Sequence, residues 1–267
     1  MKDTVKVVRD FYDSSVQAEW DRLQRHPFEY ALTRRYLDRY IKPGDKVLDV
    51  GGGPGRYALY LTEKGCDVTL LDLAAGNIEF AKQKTVERGV SFETLVGDAR
   101  EVDAIVDGEF DHILLMGPLY HLLEEADRVK TIEACLSLLK QGGTIFVSFI
   151  SSYAGVIYAM KYEPQMLIEE AMATPVQLFV DDQPFAGDGF TKAYFIRHKD
   201  VLPFMAQFPL QKLHYFGQES ILAPCEENIK AQPQEVIDKW LDVAEQVCER
   251  EDLLSYSEHL LYVGRKL

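Results

Sequence analysis

A run of glycines that directly follows an apolar segment constrains the fold of this chain more than any other feature. Apart from Asp49, the segment Val47–Val50 is apolar on both sides, which is typical of a buried parallel strand. Three consecutive glycines come next, and a fourth stands at position 55. Glycine lets the backbone turn sharply and approach a ligand without a Cβ in the way. The sequence therefore predicts a strand that ends in a ligand-binding turn.

A second apolar run, residues 67–72, ends in Asp72. In a parallel sheet, the carboxyl ends of neighbouring strands meet at one edge, where open α/β sheets bind their ligands. At that edge the two oxygens of Asp72 can accept both hydroxyls of a ribose. The glycines and this acid together indicate a ligand that contains a ribose.

The glycine spacing distinguishes two kinds of nucleotide site. A dinucleotide-binding turn has the pattern Gly-x-Gly-x-x-Gly, and here Arg56 stands where the third glycine would be. A side chain at that position obstructs close packing of the helix on the strand. A later frame, Gly53-x-Gly55-x-x-Ala58, keeps the pattern but starts two residues late. A nicotinamide-dependent oxidoreductase therefore remains as a less favoured alternative.

Strand and helix patterns alternate after the glycine turn, which predicts a parallel sheet covered by helices. The predicted strands are 46–50, 67–72, 91–96, 110–116, 144–150, 212–217 and 258–265. The predicted helices are 5–41 with a break near position 26, 56–64, 75–88, 124–140 and 233–250, and residues 163–173 have helical potential. We expect a helical cap (1–41), a cofactor-binding core (42–150), an inserted lid (151–198) and a segment that completes the sheet (199–267).

Charge and cysteine content exclude several classes of partner. The 267 residues include 29 Lys and Arg against 43 Asp and Glu, a net charge of −14. Such a surface repels nucleic-acid phosphates and anionic membranes, so neither is an expected partner. The four cysteines form no Cys-x-x-Cys pair and predict free thiols. Residues 1–6 lack the apolar run of a signal peptide, and we expect a cytoplasmic protein without a membrane span.

Several motifs together resemble the class I S-adenosylmethionine (SAM)-dependent methyltransferases, of the bacterial small-molecule type with a methyltransferase-11/25-like domain. That family has an acid two residues before a Gly-x-Gly-x-Gly turn, as Asp49 and Gly51–Gly55 do here. Gly97–Arg100, Phe110–Leu122 and Leu138–Phe146 resemble its motifs after the third strand, around the fourth and before the fifth. The resemblance covers roughly residues 40–150. It implies an α/β fold: a doubly wound, mostly parallel, seven-stranded Rossmann-like sheet whose last strand is antiparallel, with an N-terminal helical cap and a lid inserted after strand five.

The resemblance also implies the cofactor, SAM, and the residues that bind it. SAM would lie across the glycine turn, with Asp72 on its ribose and Asp98 on its adenine amino group. From the cap, Tyr12 would face the sulfonium or hold the amino-acid carboxylate, ahead of Trp20 and Arg22. The cofactor-binding residues predicted in this way are Tyr12, Asp49, Gly51, Gly52, Gly53, Gly55, Asp72, Leu73, Asp98, Ala99 and Met116.

The implied chemistry needs few catalytic groups. Methyl transfer from a sulfonium is an in-line displacement, so the enzyme mainly holds the nucleophile about 3 to 3.5 Å from the methyl carbon. A hydroxyl, thiol or protonated amine also needs a base, and His121 is the best-placed imidazole, with Tyr120 beside it. The other interpretation of both residues is that they support their loop by hydrogen bonds.

The acceptor and the partners of the chain stay open in the sequence. The expected acceptor is a small molecule with an O, N, S or C nucleophile, and the aromatic residues of the lid form either its pocket or the core of a small lobe. No metal site is predicted, because Asp181, Asp182, Asp188 and His198 fit no ligand spacing. A SAM-binding regulatory module without turnover is the main alternative function. The oligomeric state is left open.

Overall fold

The computed structural model describes residues 4–267, so the first three residues of the predicted cap and of the segment 1–6 lie outside the described range. The helices are α1 (Thr4–Ser14), α2 (Val16–Arg25), α3 (Pro27–Tyr40), α4 (Arg56–Glu63), α5 (Ala75–Arg88), α6 (Val102–Ile105), α7 (Glu125–Leu138), α8 (Ala154–Tyr162), α9 (Ala173–Val180), α10 (His198–Met205), α11 (Glu226–Lys230) and α12 (Gln234–Val247). The strands are β1 (Lys46–Val50), β2 (Asp67–Asp72), β3 (Glu93–Val96), β4 (Phe110–Leu115), β5 (Leu139–Ser151), β6 (Phe185–Asp188), β7 (Lys192–Ile196), β8 (Leu210–Gly217) and β9 (His259–Lys266).

Five parallel strands form the centre of the sheet in the order β3-β2-β1-β4-β5. β9 runs antiparallel to β5, and β8 runs antiparallel to β9. These seven strands form the predicted mostly parallel α/β sheet, and its last strand is antiparallel, as expected. The strand order reverses at β1, which lies between β2 and β4. A crevice therefore opens beyond the carboxyl ends of β1 and β4, where open α/β sheets bind ligands.

The lid adds two strands that the sequence pattern does not predict. β6 and β7 form an antiparallel hairpin, and β7 pairs in parallel with the end of β5 at Ile150 and Ser151. The sheet therefore has nine strands in the part of the chain that the structure describes. Phe185–Asp188 shows no clear alternation of apolar and polar residues, which is the signal for a strand. The segment 163–173 forms two short 3-10 turns between α8 and α9.

The boundary between α7 and β5 differs from the predicted one. The pattern predicts a helix to residue 140 that two glycines terminate, but α7 ends at Leu138 and β5 runs through both glycines. Gly142 has a φ of +77°, and a Cβ on Gly143 would lie 2.7 Å from the carbonyl oxygen of Asp111. The two glycines therefore let β5 pass close to β4 at the point where their pairing shifts register.

Apolar side chains bury both faces of the sheet. Successive residues of a strand point to opposite faces. Leu48 and Ile113 accordingly pack in one buried cluster with residues of α7, and Val47 and Leu114 pack in another with residues of α3. The cap is thus anchored to the sheet by α3, while α1 and α2 reach the carboxyl ends of the strands. Within residues 4–267, no helix combines the length and apolar character needed to cross a membrane.

Candidate active site

A cleft of about 1030 Å³ opens at the carboxyl ends of β1, β2 and β4. This volume includes the part of the cleft that is open to solvent. Side chains of α1 and α2, among them Val8 and Glu19, close one side of it. All site residues and cap candidates predicted from the sequence line this cleft except Gly55 and Trp20. The structure thus brings together residues that come from positions 12 to 121 of the chain.

The glycine turn forms the floor of the cleft. Gly51 and Gly53 have φ values of +69° and +59°, a region that other residues rarely adopt. At Gly51 a Cβ would also lie 2.4 Å from Pro118 Cγ, and at Gly52 it would lie 2.4 Å from an oxygen of Asp49. Gly55, with a φ of +83°, lies outside the cleft lining and joins the turn to α4. The backbone is therefore exposed to a ligand only at the first three glycines.

Asp72 holds the glycine turn in place. Its Oδ2 accepts a hydrogen bond of 2.8 Å from the backbone N–H of Gly53. Its Oδ1 accepts bonds from the backbone N–H of Ala74 and from the Asn77 amide, at 2.9 and 3.0 Å. A carboxylate has about four acceptor positions, so one remains for a ligand hydroxyl. A second ribose hydroxyl has to displace one of these protein donors.

Asp49 is a buried carboxyl at the end of β1 with an unpartnered oxygen. Its side chain is 1% exposed, and Oδ2 has no hydrogen-bond partner among the described residues. Burial raises the pKa of Asp49 to about 7, with a further increase from the nearby Asp72 carboxylate and a decrease from a backbone hydrogen bond of Ala58. A buried acceptor without a partner is rare in folded proteins and marks a place for a donor or a positive charge.

Asp98 lines the cleft shortly after the end of β3. Both of its oxygens are engaged by the guanidinium of Arg100, with the closest N–O distance 2.7 Å, and Arg100 also pairs with Asp127. Burial raises the pKa of Asp98, but the bonds and charge of Arg100 outweigh this effect and lower it overall. Asp98 is therefore an ionised acceptor held in a fixed orientation. Leu73, Ala99 and Met116 line the cleft as well.

His121 is hydrogen-bonded at both ring nitrogens. Nδ1 lies 2.9 Å from the carbonyl oxygen of Lys192, which can only accept, so Nδ1 carries a proton. Burial lowers the pKa of His121 to about 4, so the ring is neutral near pH 7. Nε2 is then an acceptor, and the Tyr12 hydroxyl donates to it at 2.8 Å. His121 can act as a base toward a substrate only when Tyr12 moves away from Nε2.

Tyr120 and the lid residue Phe190 pack around His121. The Tyr120 ring lies edge-on to the imidazole at 4.8 Å, and burial raises the pKa of its hydroxyl, which therefore stays protonated at neutral pH. Phe190 lies 5.7 Å from His121 and 6.1 Å from Phe11 of α1. The described residues that line the cleft include none from 151–198. The lid thus supports His121 from behind rather than forming the cleft wall.

Arg22 and Glu19 of α2 are cleft residues whose partners the sequence does not reveal. Arg22 donates to Glu19 at 3.0 Å and forms two bonds with the buried Glu29, the shorter 2.6 Å. Glu29 also approaches His259, which pairs with Glu219 at 2.7 Å. Ligand atoms of these last three residues lie within 4.8 Å of one another, as metal ligands do. The negative charges of Glu29 and Glu219 are already balanced by Arg22 and by His259. Burial lowers the pKa of His259, but the two carboxylates outweigh this effect and raise it to about 9.

Two of the cap residues differ in how they relate to the cleft. Tyr12 lines it, but Trp20 does not: its ring packs against Phe80 and beneath the guanidinium of Arg56, 4.0 Å away. Trp20 is therefore a core residue of the cap.

Asn77 lines the cleft and was not predicted. Its signal in the sequence is its position in the first turn of α5, five residues after Asp72 at the end of β2.

Comparisons with known proteins agree with this geometry. Residues 47–143 match the family described as "Methyltransferase domain". The ubiquinone biosynthesis O-methyltransferase of Xanthomonas campestris pv. campestris (strain B100) is 32% identical over 133 residues, which are 48% of this chain and 54% of that protein. The chain thus spans about half the length of the curated relatives it matches.

Solved structures share the fold at low sequence identity. Magnesium protoporphyrin IX methyltransferase from Synechocystis PCC 6803, with bound SAM, superposes with a TM-score of 0.58 at 13% identity over 100% of this chain and 99% of that one. The [4+2]-cyclase SpnF superposes with a TM-score of 0.56 at 19% identity over 88% and 80% of the two chains. The segment 47–143 that matches the methyltransferase domain includes the glycine turn, Asp72 and Asp98, and the chain as a whole shares the fold of these solved structures.

Proposed function

We propose that this chain binds SAM in the cleft and transfers its methyl group to a small-molecule acceptor with an O, N, S or C nucleophile. One observation carries the proposal: the exposed glycine backbone, Asp72 and Asp98 line the same cleft as His121 and Tyr12. A cofactor subsite and a group able to contact an acceptor are therefore adjacent. The fold alone supports less, because a single fold hosts many reactions.

The residues of the cleft fit SAM in charge and in hydrogen bonding. Asp49 Oδ2 and Asn77 Oδ1 are buried acceptors without partners, and both residues line the cleft. SAM carries an ammonium, ribose hydroxyls and an adenine amino group, which are donors, and a positive sulfur. The backbone of Gly51–Gly53 lines the cleft, and a glycine backbone can approach such a ligand closely. We assign the amino-acid end to this turn, the ribose to Asp72 and the adenine to Asp98.

The chain contributes mainly orientation and exclusion of water. SAM supplies, when bound, an electrophilic methyl group on a positively charged sulfur. Tyr12 and Val8 of α1 line the cleft, where they would shield a bound ligand from water. His121 holds the Tyr12 hydroxyl at 2.8 Å, and its second nitrogen is fixed by the Lys192 carbonyl. A proton-bearing acceptor that displaces the Tyr12 hydroxyl would meet the Nε2 lone pair of His121.

The first test is calorimetric titration with S-adenosylhomocysteine, with NADH titrated in parallel. We expect micromolar binding of S-adenosylhomocysteine alone, followed by methyl transfer from labelled SAM in a screen of small-molecule acceptors. Binding of NADH alone would replace the proposal with the oxidoreductase alternative. Binding of S-adenosylhomocysteine without transfer to any acceptor would favour a regulatory module, which the engagement of His121 Nε2 by Tyr12 also fits.

Replacing Asp72 tests the cofactor subsite. Asp72→Ala removes a charged acceptor and the bond that holds Gly53, and bonds to charged groups contribute about 1.5–3 kcal/mol each. We therefore expect the Kd for S-adenosylhomocysteine to rise by about 10- to 150-fold in calorimetry. Asp67→Ala, at the exposed opposite end of β2, is the matched control and should leave the Kd unchanged. An unchanged Kd in Asp72→Ala would remove this residue from the site.

Replacing His121 tests whether it is a base. His121→Ala should leave the Kd for S-adenosylhomocysteine nearly unchanged and slow turnover of a proton-bearing acceptor by about 10²- to 10⁴-fold, the usual contribution of a general base. Tyr12→Phe removes only the hydroxyl that faces Nε2 and is the comparison variant. If His121 serves only to anchor α1 through Tyr12, the two variants will lose the same amount of activity.

We also propose that the protein acts in the cytoplasm. Cys66, Cys135, Cys225 and Cys248 are free in the structure, which fits a reducing compartment. The net charge of −14 supports a small-molecule acceptor over a nucleic acid or an anionic membrane.

A further inference from the structure

Glu19 of α2 faces the glycine turn from the cap. Its side chain lines the cleft, and its Cγ lies 3.7 Å from the point where a Cβ on Gly53 would stand. The Nδ2 atom of Asn77 lies 4.0 Å from the same point, and the backbone N–H of Gly53 donates to Asp72. Glu19, Gly53, Asp72 and Asn77 therefore meet at one corner of the cleft, which we call the Gly53 corner.

One oxygen of the Glu19 carboxylate is held in place, and the other is available. Oε1 accepts a hydrogen bond of 3.0 Å from Arg22 Nε, which fixes the orientation of the carboxylate. Oε2 has no donor among the described residues and is accessible to solvent, and the side chain as a whole is 24% exposed. Arg22 also pairs with Glu29, so these three side chains have one negative charge in excess. Oε2 is therefore a charged acceptor that can receive a ligand donor.

Asp72 by itself has too few free positions for two ligand hydroxyls. Its oxygens already accept three bonds, from Gly53, Ala74 and Asn77, which leaves one of about four acceptor positions. The same corner contains another acceptor, Asn77 Oδ1. Asn77 is 1% exposed, and its Oδ1 has no partner among the described residues. A buried acceptor without a partner indicates a missing donor, so this corner fits a ligand that brings several donors.

The two carboxylates of the Gly53 corner are close enough to affect each other. Burial raises the pKa of Asp72, its three hydrogen bonds lower it, and the negative charge of Glu19 raises it further. The three donors that hold Asp72 are neutral amides, so they do not balance its charge. A ligand with two adjacent hydroxyls can donate one bond to each carboxylate, and such bonds favour the ionised form of both. A vicinal diol therefore suits this corner better than a single donor does.

We propose that Glu19 accepts one ribose hydroxyl of the bound cofactor, while Asp72 accepts the other. Glu19 is then a cofactor-binding residue that the cap supplies, and no hydrogen bond of Asp72 has to break. The ammonium group of the cofactor is left to Asp49, whose unpartnered Oδ2 would lie 2.4 Å from a Cβ on Gly52. The inference rests on the proposed function, because it concerns the ligand of the same cleft.

The first part of the test is calorimetric titration of the full chain with S-adenosylhomocysteine. Glu19→Ala should raise the Kd by about 10-fold or more, as the loss of a hydrogen bond to a charged group does. Asp21→Ala removes an acid of the same helix that does not line the cleft, and this matched control should leave the Kd unchanged. An unchanged Kd in Glu19→Ala would overturn the assignment of Glu19 and leave the proposed function intact. A wild type that does not bind S-adenosylhomocysteine would remove both.

The second part identifies the ligand group that Glu19 contacts. The 2′-deoxy and 3′-deoxy analogues of S-adenosylhomocysteine each lack one hydroxyl, and each should bind the wild type about 10-fold or more weakly than the parent does. In Glu19→Ala, one of the two analogues should bind as well as the parent, because the acceptor of its missing hydroxyl is already absent. Glu19→Gln keeps the length of the side chain and an amide oxygen, and it should reduce the same penalty. Equal penalties in the wild type and in both variants, for both analogues, would mean that Glu19 contacts another group and would overturn the proposal.

Discussion

Asp49→Asn is expected to make the protein more stable at pH 8 than the wild type. Burial raises the pKa of Asp49 to about 7 in the folded chain, with the Asp72 carboxylate as a second cause, against about 3.8 for an ordinary aspartate. At pH 8 the folded protein therefore holds a buried, ionised carboxylate in surroundings that favour the neutral form. At 1.36 kcal/mol for each pKa unit, the penalty is on the order of 4 kcal/mol. Asparagine has the same shape and carries no charge.

The advantage of the variant depends on pH in a defined direction. Between about pH 4 and pH 7 the folded wild type binds more protons at Asp49 than the unfolded chain does, so its stability falls as pH rises. The penalty reaches its full size above pH 7 and vanishes near pH 4. Urea unfolding of both proteins at pH 4, 6 and 8 measures this. The free-energy difference should grow from near zero to several kcal/mol, and a difference that is the same at all three pH values would contradict the raised pKa.

A cationic ligand in the cleft is expected to stabilise the ionised form of Asp49. A positive charge in the cleft attracts the ionised form of Asp49, so SAM should raise the melting temperature of the wild type more than that of Asp49→Asn. Asp67→Asn, an exposed aspartate on the neighbouring strand, is the control and should match the wild type in both experiments. The ionised Asp49 carboxylate destabilises the free protein and stabilises the complex with a cation. Binding sites contain destabilising groups for this reason.

Local patterns were sufficient to predict the part of the site that the sheet positions. β1, the glycine turn and Asp72 follow from an apolar run and from residues within a few positions of it, because a strand and its turn are determined locally. The sharp turn at Gly51 was predicted from the glycines, whereas the close approach of Asp49 to Gly52 was not. The contact with Pro118 was not predictable, since it depends on how β4 packs beside β1.

The periodicity of α12 predicts a helix but does not determine which side of it is buried. The helix was predicted from Val236, Trp240 and the valines that follow, yet the residues packed against α3 are their neighbours Ile237, Leu241 and Ala244. Both sets have helical spacing, so either could face the core. Only tertiary packing decides between them. The sequence therefore predicted the element and could not predict which of its faces is buried.

The buried charges of Glu29 and His259 could not be predicted from the sequence, for a different reason. Glu29 and His259 are 230 positions apart, and nothing local marks either of them as buried. An acid on a helix usually faces solvent, and burial becomes tolerable only with a partner that arrives from elsewhere in the chain. The same holds for the Tyr12–His121 bond, which joins α1 to the loop after β4. Long-range pairs of this kind became visible only in the folded structure.

Glu29→Gln is expected to lower the free energy of unfolding by about 3–5 kcal/mol at neutral pH, the usual cost of breaking a buried ion pair from one side. The Glu29 carboxylate is 3% exposed and accepts two bonds from Arg22. Glutamine keeps the shape but leaves Arg22 with Glu19 alone and His259 with Glu219 alone. Glu79→Gln breaks the exposed pair with Lys82 and is the matched control, where a change of about 0–1 kcal/mol is expected.

The pH dependence separates the loss of the charge from a general loss of packing. Burial alone would raise the pKa of Glu29, but Arg22 and His259 outweigh it and lower the pKa from 4.5 to about 2. An acid with a lowered pKa stabilises the fold above its unfolded value and loses that contribution as pH falls. The gap between wild type and Glu29→Gln in urea unfolding should therefore be constant from pH 7 to about pH 5 and narrow steadily below about 4.5. A gap that keeps its full size at pH 3 would mean that Glu29 acts through its shape, and that Arg22 is held in the cleft by something other than this carboxylate.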